Sequence, residues 1–325
     1  MSSASTSEAA EPTYLIGVEG GGTKTVACIA VPRPDGAFEI LGRGQSGPTN
    51  MQAIGFDLTV KNLQTAIYDA RAEAKLPQQE PVAAACFVMA GVDRMQEELL
   101  LTQWVLTHRI AHRIQVANDT VGLLAAGTPD GWGIALIAGT GSIAFGKTPA
   151  GASARTGGWG YLLGDEGSAY NVALAGMRAA VRAADGRAPA NRLLPDFLKR
   201  MELKQPDDLL EAIYLSGIDR AGIAVLAGVV TAAAAAGDAI ALEILETAAK
   251  ELALSVKTTA KKLKLETAPV PFCFTGGLIL NSPEMQKLLL EKIAAAGIQL
   301  ASSVPVDEPV FGAFKLARRL LSEPS

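Results

Sequence analysis

Apolar and β-branched residues from Tyr14 to Val18 give way to Glu19-Gly20-Gly21-Gly22, and the pattern resumes with Thr23-Lys24-Thr25-Val26 and Cys28-Ile29-Ala30-Val31. That order predicts a strand, a glycine turn and a second strand. The turn Pro32-Arg33-Pro34-Asp35-Gly36 and the run Phe38-Glu39-Ile40-Leu41 add a third strand, so the chain opens on an antiparallel meander. Helical spacing follows over 54–75, and the apolar run from Val82 to Gly91 suits a buried parallel strand. A helix with apolar positions at Leu99, Leu100, Trp104 and Val105 comes next, then a short strand from Ile114 to Ala117 that ends at Asn118-Asp119.

Beyond the turn residues Gly127-Thr128-Pro129-Asp130-Gly131 the pattern starts over. The run from Trp132 to Ala138, the turn Gly139-Thr140-Gly141-Ser142 and the run Ile143-Ala144-Phe145 again read as strand, glycine turn, strand. Two such hairpins, one opening each half, suggest a duplicated unit. The remainder is mostly helical, over 167–184, 207–216, 219–236, 239–263, 283–295 and 310–321. A strand at Phe272 to Phe274 and a glycine turn at Gly276-Gly277 interrupt it. The expected organisation is a loose tail over 1–13, an N-terminal α/β lobe over 14–127 and a C-terminal α/β lobe over 128–309, with the last helix, 310–321, packing back on the first lobe.

Length supports two lobes, because 325 residues exceed what one core usually holds. A net charge of −4 leaves no broad basic surface, which argues against nucleic acid or an anionic membrane as the partner and for a small ligand. The uncharged segment from Ala221 to Gly237 is dominated by Ala and Gly and falls short of a membrane span, so it reads as a buried helix. The first 13 residues lack the basic start and apolar stretch of a signal peptide. Cys28, Cys86 and Cys273 stand far apart in apolar runs with no CxxC pair, as reduced core residues of a cytoplasmic protein would. His108 and His112 are four apart on an expected helix, but Arg109 and Arg113 beside them favour a solvated face over a metal site.

Candidate chemistry gathers at the glycine turns. Gly17 and Gly22 have Walker-loop spacing, yet Thr23 stands where lysine is required and a strand continues where that loop feeds a helix. The turn is either an ordinary glycine turn or a hairpin whose backbone N–H groups, with Thr23, Lys24 and Thr25, cradle phosphate. Gly139-Thr140-Gly141-Ser142-Ile143-Ala144 has the spacing of a dinucleotide fingerprint without the helix it needs, so a second phosphate hairpin explains it better. Asp119, where a strand ends, is either a helix cap or a general base, and ligands of α/β sheets gather at such strand ends. The segment from Gly157 to Ser168 combines glycines with Trp159 and the acids Asp165 and Glu166. It can bring backbone close to a ligand, face a sugar ring and accept from hydroxyls, while Asp165 or Ser168 can cap the next helix.

In this order, Gly17 to Thr25, Thr49-Asn50, Asn118-Asp119, Ala138 to Ser142, Gly157 to Tyr170, Thr275-Gly276-Gly277 and Pro309 to Ala313 resemble the N-acetylglucosamine kinase branch of the BadF/BadG/BcrA/BcrD ATPase family, within the actin, sugar kinase and Hsp70-like superfamily. The resemblance implies a duplicated ribonuclease H-like (actin-like ATPase) α/β fold, two lobes with a nucleotide cleft between them. It implies that Gly20, Gly21, Gly22, Thr23 and Lys24 grip the ATP phosphates together with Thr140, Gly141 and Ser142 of the other lobe. Gly276 and Gly277 would lie under the adenosine, and Glu19 would reach Mg2+ through water. Asp119 would be the catalytic base, and Asn50, Ser142, Gly158, Trp159 and Asp165 would join it in binding the sugar. The implied activity is transfer of the γ-phosphate of ATP to a hydroxyl, the 6-OH, of N-acetylglucosamine. Glucosamine or N-acetylmuramic acid as acceptor, or an ATPase acting on a partner protein, are the alternatives, and a homodimer is compatible with the resemblance. The scattered cysteines count against the bridging iron–sulfur cluster of activator members, and Asp119 counts against a non-catalytic sensor.

Overall fold

The computed structural model describes residues 12–92 and 94–322, so the expected tail lies outside the described residues except for its last two positions. Backbone contacts form two compact units. The described residues up to Asn118, with those from Ala313 onward, make one; Asp119–Gly312 make the other.

The first unit carries β1 (Leu15–Gly20), β2 (Thr25–Pro32), β3 (Phe38–Ser46), α1 (Met51–Ile54), α2 (Phe56–Glu73), β4 (Val82–Met89), α3 (Met95–Thr107) and β5 (Ala111–Asn118). Its five strands are ordered β3-β2-β1-β4-β5. Tight turns make β1, β2 and β3 antiparallel neighbours, and helical crossovers make β1, β4 and β5 parallel. Ile16, Val18, Ile29, Leu63, Ile67 and Phe87 fill the core. Helix α2 lies so close to β3 that a Cβ at Gly44 would sit 1.9 Å from the Ala66 carbonyl oxygen, which is why that strand position carries glycine. Helix α3 buries Leu101 and Val105, while Leu99 and Leu100 are exposed. At 100° per residue Leu100 is turned 100° and Leu99 200° away from Leu101, so neither shares its buried face. His108 ends α3 beside the Trp104 ring and His112 lies in β5, so the two do not share a helix face.

The second unit carries α4 (Asp119–Gly127), β6 (Gly133–Ala138), β7 (Ser142–Lys147), β8 (Ser153–Gly157), α5 (Ala169–Ala184), α6 (Leu193–Arg200), α7 (Asp208–Tyr214), α8 (Arg220–Val225), α9 (Ala227–Ala235), α10 (Ala239–Lys262), β9 (Val270–Thr275), α11 (Gly277–Leu280), α12 (Pro283–Ala295) and β10 (Leu300–Pro305). Its strand order, β10-β9-β6-β7-β8, repeats the first sheet: an antiparallel hairpin pair on one side of the central strand, two parallel strands on the other. Helix α10 presents Ala241, Leu245, Ala248, Leu252, Val256 and Ala260 as one buried stripe, and Asp238 caps it by accepting from Ala241 N at 2.9 Å.

The structure departs from the sequence reading in several places. Strands β8 and β10 and helix α6 were not anticipated; both strands are edges, largely solvent-facing, and carry no hydrophobic alternation. The single helix expected over 219–236 is two, α8 and α9, broken at Leu226. Their buried residues, among them Ile223, Ala227, Val230 and Ala233, join the core. Among the described residues no single helix is long and apolar enough to cross a membrane. Contacts divide the chain at Asn118/Asp119 and not at 127/128, because α4 buries Leu123 and Leu124 against Ala135, Cys273 and Val306. The last helix, α13 (Val310–Ser322), stacks Phe314 on Phe38 at 5.3 Å and donates from Arg318 to the Gly36 carbonyl at 2.9 Å. All three cysteines are buried, and burial pushes the Cys86 and Cys273 thiols up to about 12.

Candidate active site

In the first sheet the pairing register lines up Gly20 with Met89 and Met89 with Asn118, so the carboxyl ends of β1, β4 and β5 meet at one edge. Such an edge is where open α/β sheets collect ligands. The Gly20–Thr25 turn is closed by Gly21 N donating to Lys24 O at 2.9 Å, and its tip, Gly22 to Lys24, is exposed. A Cβ at Gly20 would strike Thr49 Oγ1 at 2.1 Å and Met89 Sδ at 2.6 Å, so glycine is required there by packing. At Gly22 an added Cβ meets nothing within 4 Å, so no protein neighbour demands that glycine.

The segment Thr49-Asn50 is bound to this turn. Thr49 N donates to Gly21 O at 3.0 Å. The Thr25 hydroxyl has one proton; donating it to Gly47 O at 2.8 Å leaves Thr25 to accept from the buried Thr49 hydroxyl at 2.9 Å. One residue on, Asn50 Oδ1 is buried without a hydrogen-bond partner among the described residues. Its side chain does not cap α1. Gly91, at φ +77°, makes room for it, since a Cβ there would lie 2.4 Å from Asn50 Oδ1. An orphaned buried acceptor of this kind requires an explanation, and a donor on a bound ligand supplies one.

Asp119 opens α4 directly after the last residue of β5 and is half-buried. It sits in the first helical turn, where the positive end of the helix dipole favours a carboxylate.

In the second unit, β6 and β9 bring two glycine turns together. Gly276, at φ +116°, packs against the first turn so closely that a Cβ would lie 2.4 Å from the Ala138 carbonyl and 2.6 Å from Gly139 N. Ser142 ties the Gly139–Ser142 turn to the loop over 157–168. Its N–H donates to Asp165 Oδ1 at 3.2 Å, its hydroxyl to Glu166 O at 2.8 Å, and its carbonyl accepts from Gly158 N at 3.1 Å. Asp165 holds a left-handed φ of +60° and is only 4% exposed, with its other oxygen paired to the Arg220 guanidinium. Burial, the larger influence, raises the Asp165 carboxyl above the usual carboxylate range, against the opposing pull of Arg220 and the Ser142 N–H, with Glu166 adding to the rise. Ser168, not Asp165, caps α5, accepting from Asn171 N at 3.2 Å. Trp159 is 65% exposed with the Arg155 guanidinium 5.2 Å from its ring centroid.

Each unit therefore gathers its own share of the expected residues: Gly20 to Thr25 with Asn50 in one, Thr140 to Ser142 with Gly158, Asp165, Gly276 and Gly277 in the other. Arg220 and Gly91 carry no sequence signal, because each acts through contacts remote in the chain, and the Thr25 hydroxyl, expected to help cradle phosphate, is instead buried against Gly47 O and the Thr49 hydroxyl. Among the described residues no group of three His, Cys, Asp or Glu side chains could hold a metal ion. Glu19, half-buried at the end of β1, fits the sparser demand of Mg2+ bound chiefly by nucleotide phosphates and water.

The family model described as the BadF/BadG/BcrA/BcrD ATPase family matches residues 16–317. The chain is 35% identical over 269 residues to the N-acetylmuramic acid/N-acetylglucosamine kinase of Clostridium acetobutylicum, a match covering 82% of this chain and 86% of that one. It is 32% identical over 290 residues to the N-acetyl-D-glucosamine kinase of Dictyostelium discoideum, covering 86% and 89%. The solved structure of a Chromobacterium violaceum protein provisionally assigned as an N-acetylglucosamine kinase shares the fold, with a TM-score of 0.74 at 24% identity over 94% of this chain and 99% of that one. On the family match and these two relatives, the chain belongs to the BadF/BadG/BcrA/BcrD ATPase family.

Proposed function

We propose that the protein is an ATP-dependent amino-sugar kinase that phosphorylates the 6-hydroxyl of N-acetylglucosamine. The reading rests on one observation above the others: in each unit the candidate phosphate turn is hydrogen-bonded beside the candidate sugar residue, Gly21 O accepting from the N–H of Thr49, which precedes Asn50, and Ser142 N donating to Asp165 Oδ1. A kinase for a small acceptor needs phosphate and acceptor held side by side, since phosphoryl transfer is mainly a matter of positioning and charge neutralisation.

In this mechanism the exposed tip of the first turn, Gly22 to Lys24, and the tip of the second, Thr140 and Gly141, hold the ATP phosphates, and the turn at Gly276-Gly277 lies under the adenosine. Asn50 Oδ1 and Asp165 accept from sugar hydroxyls, and Trp159 offers its ring to the apolar face of the sugar. Asp119 accepts the proton of the 6-hydroxyl as its oxygen bonds to the γ-phosphorus and the bond to the β-phosphate oxygen breaks, releasing ADP. Glu19 would hold Mg2+ through water, and the ion would supply neutralisation of charge on the phosphates. Consumption of ATP and three buried thiols suit a cytoplasmic enzyme.

The test is ADP release under Mg-ATP with N-acetylglucosamine, glucosamine, N-acetylmuramic acid and glucose, with the product identified by phosphorus NMR. Stimulation by N-acetylglucosamine and a 6-phosphate product are expected. Equal ADP release with and without sugar would instead favour an ATPase that serves a partner protein. N-Acetylmuramic acid belongs in the panel because the Arg155 guanidinium over Trp159 would meet an acidic substituent on the sugar.

Asn50→Leu separates the ligand role of this residue from a structural one. Removing an unsatisfied buried acceptor should leave thermal stability unchanged or higher, while sugar KM rises roughly tenfold or more. A destabilised variant with native sugar KM would show Asn50 to be part of the scaffold only.

A further inference from the structure

Arg220 begins α8, whose first turn is capped by Asp219 accepting from Gly222 N at 2.7 Å. Its guanidinium pairs with Asp165 Oδ2 and lies 5.4 Å from the centroid of the Tyr161 ring. A Cβ added at Gly141 would sit 2.6 Å from Arg220 Nη2 and 2.9 Å from Asp165 Oδ2, so the pair is seated directly on the second glycine turn. Asp165 is thus fixed from two directions, by Ser142 N–H on Oδ1 and by Arg220 on Oδ2. A carboxylate has about four acceptor positions, so roughly two stay available for hydroxyls.

We propose that Arg220 is a positioning residue of the acceptor site, holding the Asp165 carboxylate in one orientation against the second glycine turn so that it can receive sugar hydroxyls. The inference rests on the amino-sugar kinase reading. Two features separate it from a plain stabilising salt bridge. Buried ion pairs contribute little net stability, because desolvation offsets their attraction. Arg220 Nε is also buried with no partner among the described residues, a cost that a purely structural arginine has no reason to bear.

The charged groups facing Asp165 are Arg220, from α8, and Glu166, its chain neighbour. Loss of Arg220 removes the cation that opposes burial, so the carboxyl should take up its proton at higher pH. A protonated Asp165 accepts fewer hydroxyls. Sugar binding should then weaken as pH falls, over a range that lies higher in the variant than in the native enzyme.

The experiment is steady-state kinetics of the full chain with N-acetylglucosamine and Mg-ATP from acid to mildly alkaline pH, comparing native protein with R220M and R220K. For R220M, sugar KM at neutral pH should rise roughly tenfold or more with ATP KM within about twofold of native. The pH midpoint of sugar KM should move upward, because the cation that lowers the Asp165 carboxyl is gone. R220K keeps a charge but lacks the planar fork, so its midpoint should stay near native while sugar KM still rises. Native sugar KM and midpoint in R220M overturn the proposal, as does a parallel loss for ATP and sugar. Should R220M not fold, R220K decides: a native sugar KM overturns the proposal. A native enzyme that phosphorylates no amino sugar fails the kinase reading itself and takes this inference with it, whereas an active native enzyme with an indifferent R220M sinks the inference alone.

Discussion

Replacing Asp119 by Asn is expected to lower kcat by about 10²- to 10⁴-fold, the range over which general-base catalysis contributes. Asn preserves the shape of the side chain at the start of α4 and removes its ability to take a proton. Sugar affinity, read by calorimetry without nucleotide, should change far less than kcat. The loss of a negative charge in the first turn of α4 should cost no more than about 1 kcal/mol of stability. A single-turnover measurement with saturating Mg-ATP checks that the defect lies in the transfer step. Retention of most of the native rate would remove Asp119 from the role of base and leave it as a helix-stabilising carboxylate.

Gly276→Ala should be among the most disruptive single-methyl additions in the second unit. Its φ of +116° is strained for any residue with a Cβ, and the new atom would meet the Ala138 carbonyl at 2.4 Å and Gly139 N at 2.6 Å. Those neighbours are backbone and cannot rotate aside. Strain and overpacking together should cost roughly 2 to 6 kcal/mol, seen as a lowered midpoint in denaturant or thermal unfolding. The methyl also forces apart the two turns assigned to ATP, so any folded fraction should bind nucleotide more weakly. A variant with native stability and native ATP KM would mean that Gly276 does not pin these turns together.

Features with a local physical cause were legible before the fold was known. The β1–β2 and β6–β7 hairpins announce themselves through glycine turns between β-branched runs, and β4 through an unbroken apolar stretch buried on both faces. The loop over 157–168 is similar, since Gly157 and Gly158 adopt φ values of +77° and +71° that favour glycine. Features whose cause is tertiary were not legible. Strands β8 and β10 exist because the sheet offers them an edge, and nothing in Ser153–Gly157 or Leu300–Pro305 demands a strand. The division at Asn118/Asp119 carries no turn signal, because β5 runs into α4 without a loop and no Gly or Pro marks the crossing. Arg220 and Asp165 are 55 residues apart, and only the packing of α8 beside the second glycine turn makes them partners.

The helix that follows β5 packs in the second unit, and the helix that follows β10 belongs from Ala313 onward to the first. Completion of the first unit therefore cannot keep pace with the ribosome. Phe38 waits for Phe314, and the Gly36 carbonyl for Arg318, until the whole second unit and then α13 have been made. The nascent N-terminal half must persist with an unfinished face while the second half folds. A premature stop before the last helix would damage the part of the molecule that was synthesised first.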